Sequence, residues 1–416
     1  MENKLFSRDF TWMVVGQIIS LFGNAAVRFA LPLYLLNVTG SAALYGAVTA
    51  CAMLPMVALL PVGGLAADRA NKRNIMVLLD FLTAALLLGF LALRQAGGLT
   101  VTLTVTLMLL YGISGVYQPA VQASIPALIG PARLTQANAV VNSVSSLAAL
   151  LGPVLGGILY SACGLTPVLA VCAGCFFASA VMECFLHIPH VRRPRTGSLW
   201  ATARADLGES ARFLRREKPW IGKMVLTMCG CNFFLSAMIL VGLPYLVTEA
   251  LGFPAAQANR LYGFAQGALA AGGLLGGILA GVLAGRVPVR RAGALLVLAA
   301  ALTLPAAAVL AWNPGRLAVY GVLTGCFCAL MVCASLFSVQ MTALLQAETP
   351  PALVGKVLSL AMTTAMCAQP LGSALYGGLF ELLQGWEFVP VLAAGAATLA
   401  LAAAAGHILR QAFAMT

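Results

Sequence analysis

Long apolar stretches follow one another along almost the whole chain, separated by short breaks of charged, polar, glycine or proline residues. About 20 consecutive apolar residues are enough to cross a bilayer as an α-helix. Twelve segments reach that length, at residues 10–36, 42–65, 74–93, 99–123, 136–160, 165–187, 221–248, 261–283, 292–312, 317–341, 356–380 and 388–409. The pattern therefore predicts an all-α, polytopic membrane protein with twelve spanning helices.

Composition agrees with this prediction, because 61% of the 416 residues are hydrophobic and only 9% are charged. The net charge of +12 does not indicate nucleic-acid binding, since cationic residues collect on the cytoplasmic side of membrane proteins. With the N-terminus inside, twenty of the 24 Lys and Arg residues fall on the cytoplasmic side. We expect both termini to be cytoplasmic and the protein to lie in the plasma (inner) membrane.

The one long polar stretch, His190 to Pro219, divides the chain into two sets of six helices. The predicted domains are an N-terminal bundle at 1–190, a linker at 191–219 and a C-terminal bundle at 220–416. Apolar residues recur at helical spacing between Leu199 and Leu214, opposite several arginines. This pattern predicts a basic amphipathic helix on the membrane surface, with a solvated linker as the alternative.

The two halves share residues at a nearly constant distance along the chain, which indicates a duplicated six-helix unit. Pro32 and Pro244 are 212 positions apart. Tyr45-Gly46 and Tyr262-Gly263 recur at 217. Pro153 and Pro370 recur at the same distance.

A cluster of charges between the second and third segments cannot lie in lipid, so we predict a tight charged hairpin there. Its sequence is Gly64-Leu-Ala-Ala-Asp68-Arg69-Ala-Asn-Lys72-Arg73. It resembles the loop signature between helices 2 and 3 of the major facilitator superfamily, G-x-L-A-D-R-x-G-R-K. By this resemblance the loop takes part in gating, and Asp68 contacts the start of helix 11. A surface ion pair with Arg69 or Arg73 is the alternative role for Asp68.

Helix 5 carries a second motif, made of Gly152, Pro153, Gly156 and Gly157. Proline removes a helical hydrogen bond and glycines allow helices to approach closely, so these residues predict a hinge and packing seam. They resemble the G-P-x-x-G-G signature that is enriched among exporters of the same superfamily. Gln118-Pro and Leu134-Thr-Gln-Ala-Asn138 resemble the bacterial efflux branch of macrolide and siderophore exporters.

Polar side chains form stripes on three predicted helices, and in this superfamily helices 1, 4, 7 and 10 line the central cavity. The stripes consist of Gln17, Ser20, Asn24 and Arg28 on helix 1, Tyr111, Ser114, Gln118 and Gln122 on helix 4, and Asn232 and Ser236 on helix 7. They predict a substrate path, with hydrogen bonding between helices as the alternative role. We expect Arg28 either to bind anionic or polar groups of the substrate or to be held by helix dipoles and amides such as Gln17 and Asn24.

Two acids, Asp80 and Glu183, lie within predicted spanning helices close to their cytoplasmic ends. We interpret them as structural partners that reach the surface and pair with the basic loops, and the alternative is that they carry protons. The eleven cysteines lie mostly in apolar segments, so we expect no metal site and no cofactor. The chain has no G-x-x-x-x-G-K-[ST] loop for nucleotide phosphates.

The leading hypothesis is a secondary active transporter, not an enzyme. It works by alternating access and exports amphipathic small molecules or drugs in exchange for protons, as a monomer in the lipid bilayer. One alternative is an exporter or flippase of a specific endogenous solute or lipid, such as a siderophore or lysophospholipid. The alternative of another class is a non-transporting membrane scaffold or receptor.

Overall fold

The structure, a computed structural model, describes residues 7–94, 97–129, 133–188, 208–282, 292–350 and 353–414. At positions 61, 65, 67–69, 135 and 412–414 it describes the backbone alone. No strand occurs in these ranges.

Twelve long helices account for nearly all of the described residues. They are α1 (Arg8–Thr39), α2 (Ala42–Arg69), α3 (Lys72–Leu93), α4 (Leu99–Leu128), α5 (Leu134–Cys163), α6 (Leu165–Cys184), α7 (Pro219–Ala250), α8 (Ala255–Val282), α9 (Ala292–Trp312), α10 (Arg316–Glu348), α11 (Val354–Leu382) and α12 (Phe388–Ala414). Eleven helices in the described ranges are long and apolar enough to cross a membrane. The twelfth, α11, is 29 residues long and more polar, with Lys356, Gln369 and Glu381. The predicted all-α membrane fold is confirmed.

The charged stretch between α2 and α3 is more helical than predicted. Helix α2 continues to Arg69 and α3 begins at Lys72, so only Ala70 and Asn71 lie between them. The side chain of Asn71 accepts a hydrogen bond of 3.1 Å from the backbone N–H of Arg73 and thereby caps α3. Helix formation up to both ends of the turn satisfies backbone groups that a longer loop would leave exposed. Helix α6, in contrast, ends at Cys184, earlier than the predicted His187.

Helix α7 is not regular along its length, because it contains two π-helical segments, Asn232–Ser236 and Leu246–Ala250. A π-helical segment inserts extra residues into a helical turn and is frequent at functional sites. The first segment begins and ends at the two residues that the sequence assigns to the substrate path. Asn232 and Ser236 therefore do not keep the relative positions around the helix axis that regular α-helical spacing would give them.

The predicted amphipathic linker helix lies largely outside the described residues. The described part is helical over 208–217 and ends in a π-helical turn, Phe213–Glu217. Phe213 is buried in a cluster with Ile221 and Val225. Two ion pairs of 2.7 Å, Lys218 with Glu348 and Lys356 with Glu209, tie this segment to α10 and α11.

The described residues form two compact units. The first unit comprises residues 7–40, 48–188 and 254–267, and the second comprises 41–47, 208–253 and 268–414. Residues 42–47 of α2 and 255–267 of α8 therefore belong to a different unit from the rest of each helix.

Each unit contains one close glycine contact at duplicated positions. In the first unit, a Cβ added to Gly263 would lie only 3.2 Å from the Cα of Gly157. In the second unit, a Cβ added to Gly46 would lie 3.0 Å from the Cα of Gly377. Gly46 and Gly263 are 217 positions apart, the same distance that relates other residues of the two halves. The duplication is thus also visible in the packing of the start of α2 against α11 and of α8 against α5.

Candidate functional site

In the first unit, Arg28 of α1 binds residues of α4. Its Nη2 donates a hydrogen bond of 2.6 Å to Ser114 Oγ, and its guanidinium carbon lies 3.9 Å from the centre of the Tyr111 ring. Asn24 Nδ2 donates to the same hydroxyl at 3.5 Å. The expectation that amides of α1 hold Arg28 is wrong, because its described partners are a hydroxyl and an aromatic face. Its Nε is buried and lacks a hydrogen-bond partner among the described residues.

One helical turn along α4, a chain of hydrogen bonds connects three helices. Gln17 Nε2 of α1 donates to the hydroxyl of Tyr117 at 2.6 Å, and this hydroxyl donates to Glu183 Oε1 of α6 at 2.8 Å. Beside the chain, Ser20 Oγ donates to Asp80 Oδ1 of α3 at 3.2 Å. All five side chains are buried, so the polar stripe of α1 faces protein, as the sequence predicts.

The two acids lie in the interior of the first unit. Glu183 is fully buried and Asp80 is 2% exposed. Their interpretation as partners that reach the surface to pair with the basic loops is therefore wrong. Helix spacing alone placed them near helix ends, and only the packing of α1, α3, α4 and α6 shows that these ends are covered.

A cavity of about 440 Å³ lies among α1, α4 and α5 in the first unit. Gln17 and Gln118 line it, whereas Asn24, Arg28, Tyr111 and Ser114 are not part of its wall. The described residues of its lining are Gln17, Gln118, Val121, Gln122, Ile125, Pro126, Leu134, Asn138, Val141, Asn142 and Ser145. The sequence reasoning missed the contribution of α5, although Asn138, Asn142 and Ser145 recur at spacings of four and three and thus share one helical face.

The predicted residues of α7 line a different cavity, of about 240 Å³, in the second unit. Asn232 and Ser236 lie at its wall together with Ser335 and Ser338 of α10, which the sequence reasoning did not identify. Asn232 Nδ2 also donates a hydrogen bond of 3.1 Å to the carbonyl of Met228, one turn earlier in α7.

The glycines of α5 form a close packing seam, as the motif predicts. A Cβ added to Gly152 would overlap the side chain of Ala25. One added to Gly156 would lie 3.3 Å from the Phe29 ring. Gly157 similarly packs against α8, where the Phe29 ring stacks on Tyr262 with ring centres 4.8 Å apart. Helix α5 continues through Pro153, and the hinge function remains a prediction.

For the gating residues, the structure describes only part of the predicted arrangement. The side chains of Asp68 and Arg69 lie outside the described residues. A Cβ added to Gly64 would meet no atom within 4 Å. Arg73 Nη2 donates a short hydrogen bond to the carbonyl of Cys184, and this bond joins the start of α3 to the end of α6. Lys72 opens α3 in the first helical position.

Comparisons with known proteins agree with this arrangement of helices. The profile of the Major Facilitator Superfamily matches residues 13–372. The chain is 25% identical to macrolide efflux protein A of Streptococcus pyogenes over 373 residues, which are 86% of each chain. It is 26% identical to the multidrug efflux pump Tap of Mycolicibacterium fortuitum over 376 residues, again 86% of each. A shorter match, 30% identical over 183 residues, covers 44% of this chain and 43% of the uncharacterized MFS-type transporter YfiS of Bacillus subtilis.

The fold is also similar to that of solved transporters. A bacterial homologue of the iron transporter ferroportin superposes with a TM-score of 0.71 at 19% identity. The superposition covers 95% of this chain and 98% of the other. At this level of identity the similarity concerns the fold alone.

Proposed function

The chain belongs to the Major Facilitator Superfamily, and on that premise we propose that it is a proton-coupled exporter of amphipathic small molecules that works by alternating access. Transport follows from the family. Export is supported by relatives that are named efflux proteins and that align along 86% of the chain.

The cavity of the first unit is the observation that carries the choice of substrate class. Its wall combines amides, such as Gln118 and Asn138, with apolar side chains, such as Val121 and Ile125. No charged side chain lines it among the described residues. Such a wall suits a molecule with an apolar body and a few hydrogen-bonding groups, because apolar contacts give affinity and placed polar groups give orientation.

The proposal also covers the membrane in which the protein lies, its partners and its oligomeric state. The distribution of Lys and Arg supports a plasma-membrane protein with both termini in the cytoplasm. Its partners are then a small-molecule substrate, protons as the coupling ion and the lipid bilayer, and the monomer is the functional unit. The helix-5 motif of Gly152, Pro153, Gly156 and Gly157 supports export by its resemblance to the signature of exporters.

Uptake into inverted membrane vesicles tests the proposal directly. Vesicles that contain the protein are given a panel of a macrolide, an apolar cation and a siderophore, with and without a pH gradient. We expect at least one amphipathic compound to accumulate only when the gradient is present. Equal accumulation in vesicles with and without the protein, for every compound, would contradict export of this class.

Substitution of a residue in the cavity wall tests whether the cavity of the first unit binds the transported compound. We expect Gln118→Ala to lower uptake of the accumulated compound about tenfold, which corresponds to about 1.4 kcal/mol of lost interaction. Gln346→Ala is the matched control, because Gln346 is exposed near the end of α10 and lines none of the described cavities. The amount of folded protein in each vesicle preparation is measured by size-exclusion chromatography of a fluorescent fusion.

A further inference from the structure

We propose that Asp80 and Glu183 form the site that binds the exchanged proton, and that Tyr117 and Gln17 couple this site to the cavity. The inference rests on the proposed function, which it deepens by naming the residues that carry the coupling ion. It starts from the buried acid pair of the first unit, defined as these two carboxyl groups.

The acid pair has an incomplete set of hydrogen-bond partners. Ser20 donates to one oxygen of Asp80, and Tyr117 donates to one oxygen of Glu183. The other oxygens, Asp80 Oδ2 and Glu183 Oε2, are buried and have no hydrogen-bond partner among the described residues. A carboxylate can accept several hydrogen bonds, whereas a protonated carboxyl carries its own donor on one oxygen. One buried oxygen without a donor on each carboxyl therefore suits a pair that holds a proton.

The charges around the acid pair point to the same conclusion. The described side chains that interact with the acid pair are those of Tyr117, Gln17, Ser20 and Ser179. None of them carries a positive charge. The cations of the packed helices lie elsewhere: Arg28 binds Ser114 and Arg73 binds the carbonyl of Cys184. Arg8 is exposed at the start of α1, and Lys72 is partly exposed at the start of α3. Two negative charges that share a desolvated site repel each other and lose their hydration. Binding of a proton removes this cost.

Gln17 is the side chain that belongs to both the cavity and the hydrogen-bond chain. It lines the cavity and donates to the Tyr117 hydroxyl, which in turn donates to Glu183. If Glu183 gains a proton, its carboxyl becomes a weaker acceptor for the Tyr117 hydroxyl. A weaker bond there also weakens the bond that Gln17 donates to this hydroxyl, because neighbouring hydrogen bonds polarise one another. A change in the charge of the acid pair therefore changes the hydrogen bonding of Gln17 in the cavity wall. A substrate that contacts this amide then changes the proton affinity of the pair, and the reverse effect follows by linkage.

Proton release on substrate binding tests the coupling. Erythromycin is added to the purified, weakly buffered protein, and released protons are measured with a pH indicator, while binding is measured by equilibrium dialysis. We expect the wild type to release up to about one proton per bound molecule. Asp80→Asn and Glu183→Gln should bind erythromycin but release less than half as many protons. Asp9→Asn is the matched control, because Asp9 is a partly exposed acid that accepts a hydrogen bond from the backbone N–H of His187.

Vesicle transport separates this inference from the proposed function. In vesicles with Glu183→Gln, exchange of labelled for unlabelled erythromycin should continue, and accumulation driven by the pH gradient should be lost. If the wild type accumulates none of the panel compounds under the pH gradient, the proposed function fails. If the wild type shows gradient-driven accumulation and both acid variants keep it, the proton assignment to the acid pair is overturned and the proposed function stands.

A third variant remains informative if the acid variants fold poorly. Tyr117→Phe keeps the buried ring and removes only the hydroxyl that donates to Glu183. Loss of a donor to the ionised form favours the protonated form, so we expect the pH profile of uptake to move to higher pH. An unchanged profile would overturn the inference. It would also be overturned if Ca²⁺ or Mg²⁺ raised the melting temperature of the wild type but not of Glu183→Gln, since the pair would then bind a metal.

Discussion

Arg28 illustrates how a single residue can be located by sequence and explained only by structure. A cation in a spanning helix must face the protein interior and find partners there, which the sequence predicts. The partners themselves are Ser114 and Tyr111, and both belong to α4. The free Nε of Arg28, buried among the described residues, leaves one donor for a further acceptor.

We therefore predict that Arg28→Lys will reduce transport almost as much as Arg28→Ala. A lysine has no planar group that can stack on Tyr111 while it donates to Ser114. The cation–π contact alone is worth about 0.5 to 2 kcal/mol, so we expect a decrease in uptake of about tenfold in vesicles. Lys223→Arg, at an exposed position in α7, is the control for exchange of the two cations. Full uptake by Arg28→Lys would show that a positive charge is sufficient.

At the level of helices, the glycine seam determines how closely α1 and α5 approach. Gly152 lies against Ala25, and Gly156 lies against Phe29. Small residues at such contacts provide the close packing that joins helices in a membrane, where burial of apolar surface gives little gain.

Gly152→Ala should destabilise the protein, because the added methyl group would overlap Ala25. Overpacking of this kind typically costs about 1 to 3 kcal/mol, and we expect a lower melting temperature in detergent. The double variant with Ala25→Gly removes the overlapping methyl group and should recover most of the loss. Gly174→Ala is the control, since an added Cβ there meets no atom within 4 Å. An additive double variant would contradict direct contact between these positions.

For the whole molecule, the duplicated sequence produces duplicated packing. The glycine contacts at Gly46 and Gly263 lie at equivalent positions of the repeat, although each belongs to a different unit. Among the described residues, the buried acids are not duplicated in the same way. The buried acid pair, Asp80 and Glu183, belongs to the first unit, and we infer that the two units have different roles in coupling.

The orientation of the whole chain can be tested with reporter fusions. Green fluorescent protein fluoresces when its fusion point is cytoplasmic, and alkaline phosphatase is active when the fusion point is on the opposite side. From the distribution of Lys and Arg, we expect fluorescence and no phosphatase activity after Thr416. The reverse is expected after Gly385, in the turn between α11 and α12. Phosphatase activity after Thr416 would reverse the assigned orientation.

The sequence by itself determined the twelve helices and the family resemblance, because helix length and apolar character are local properties and the motif residues are contiguous. It also identified Gln17, Arg28 and Gln118 as interior residues, since their spacing puts each on a polar helix face. Only the tertiary structure decided which faces meet. Burial of Asp80 and Glu183, their link to Gln17 through Tyr117, and the wall that α5 adds to the cavity depend on contacts between residues far apart in the chain. Periodicity within one helix carries no information about its neighbours.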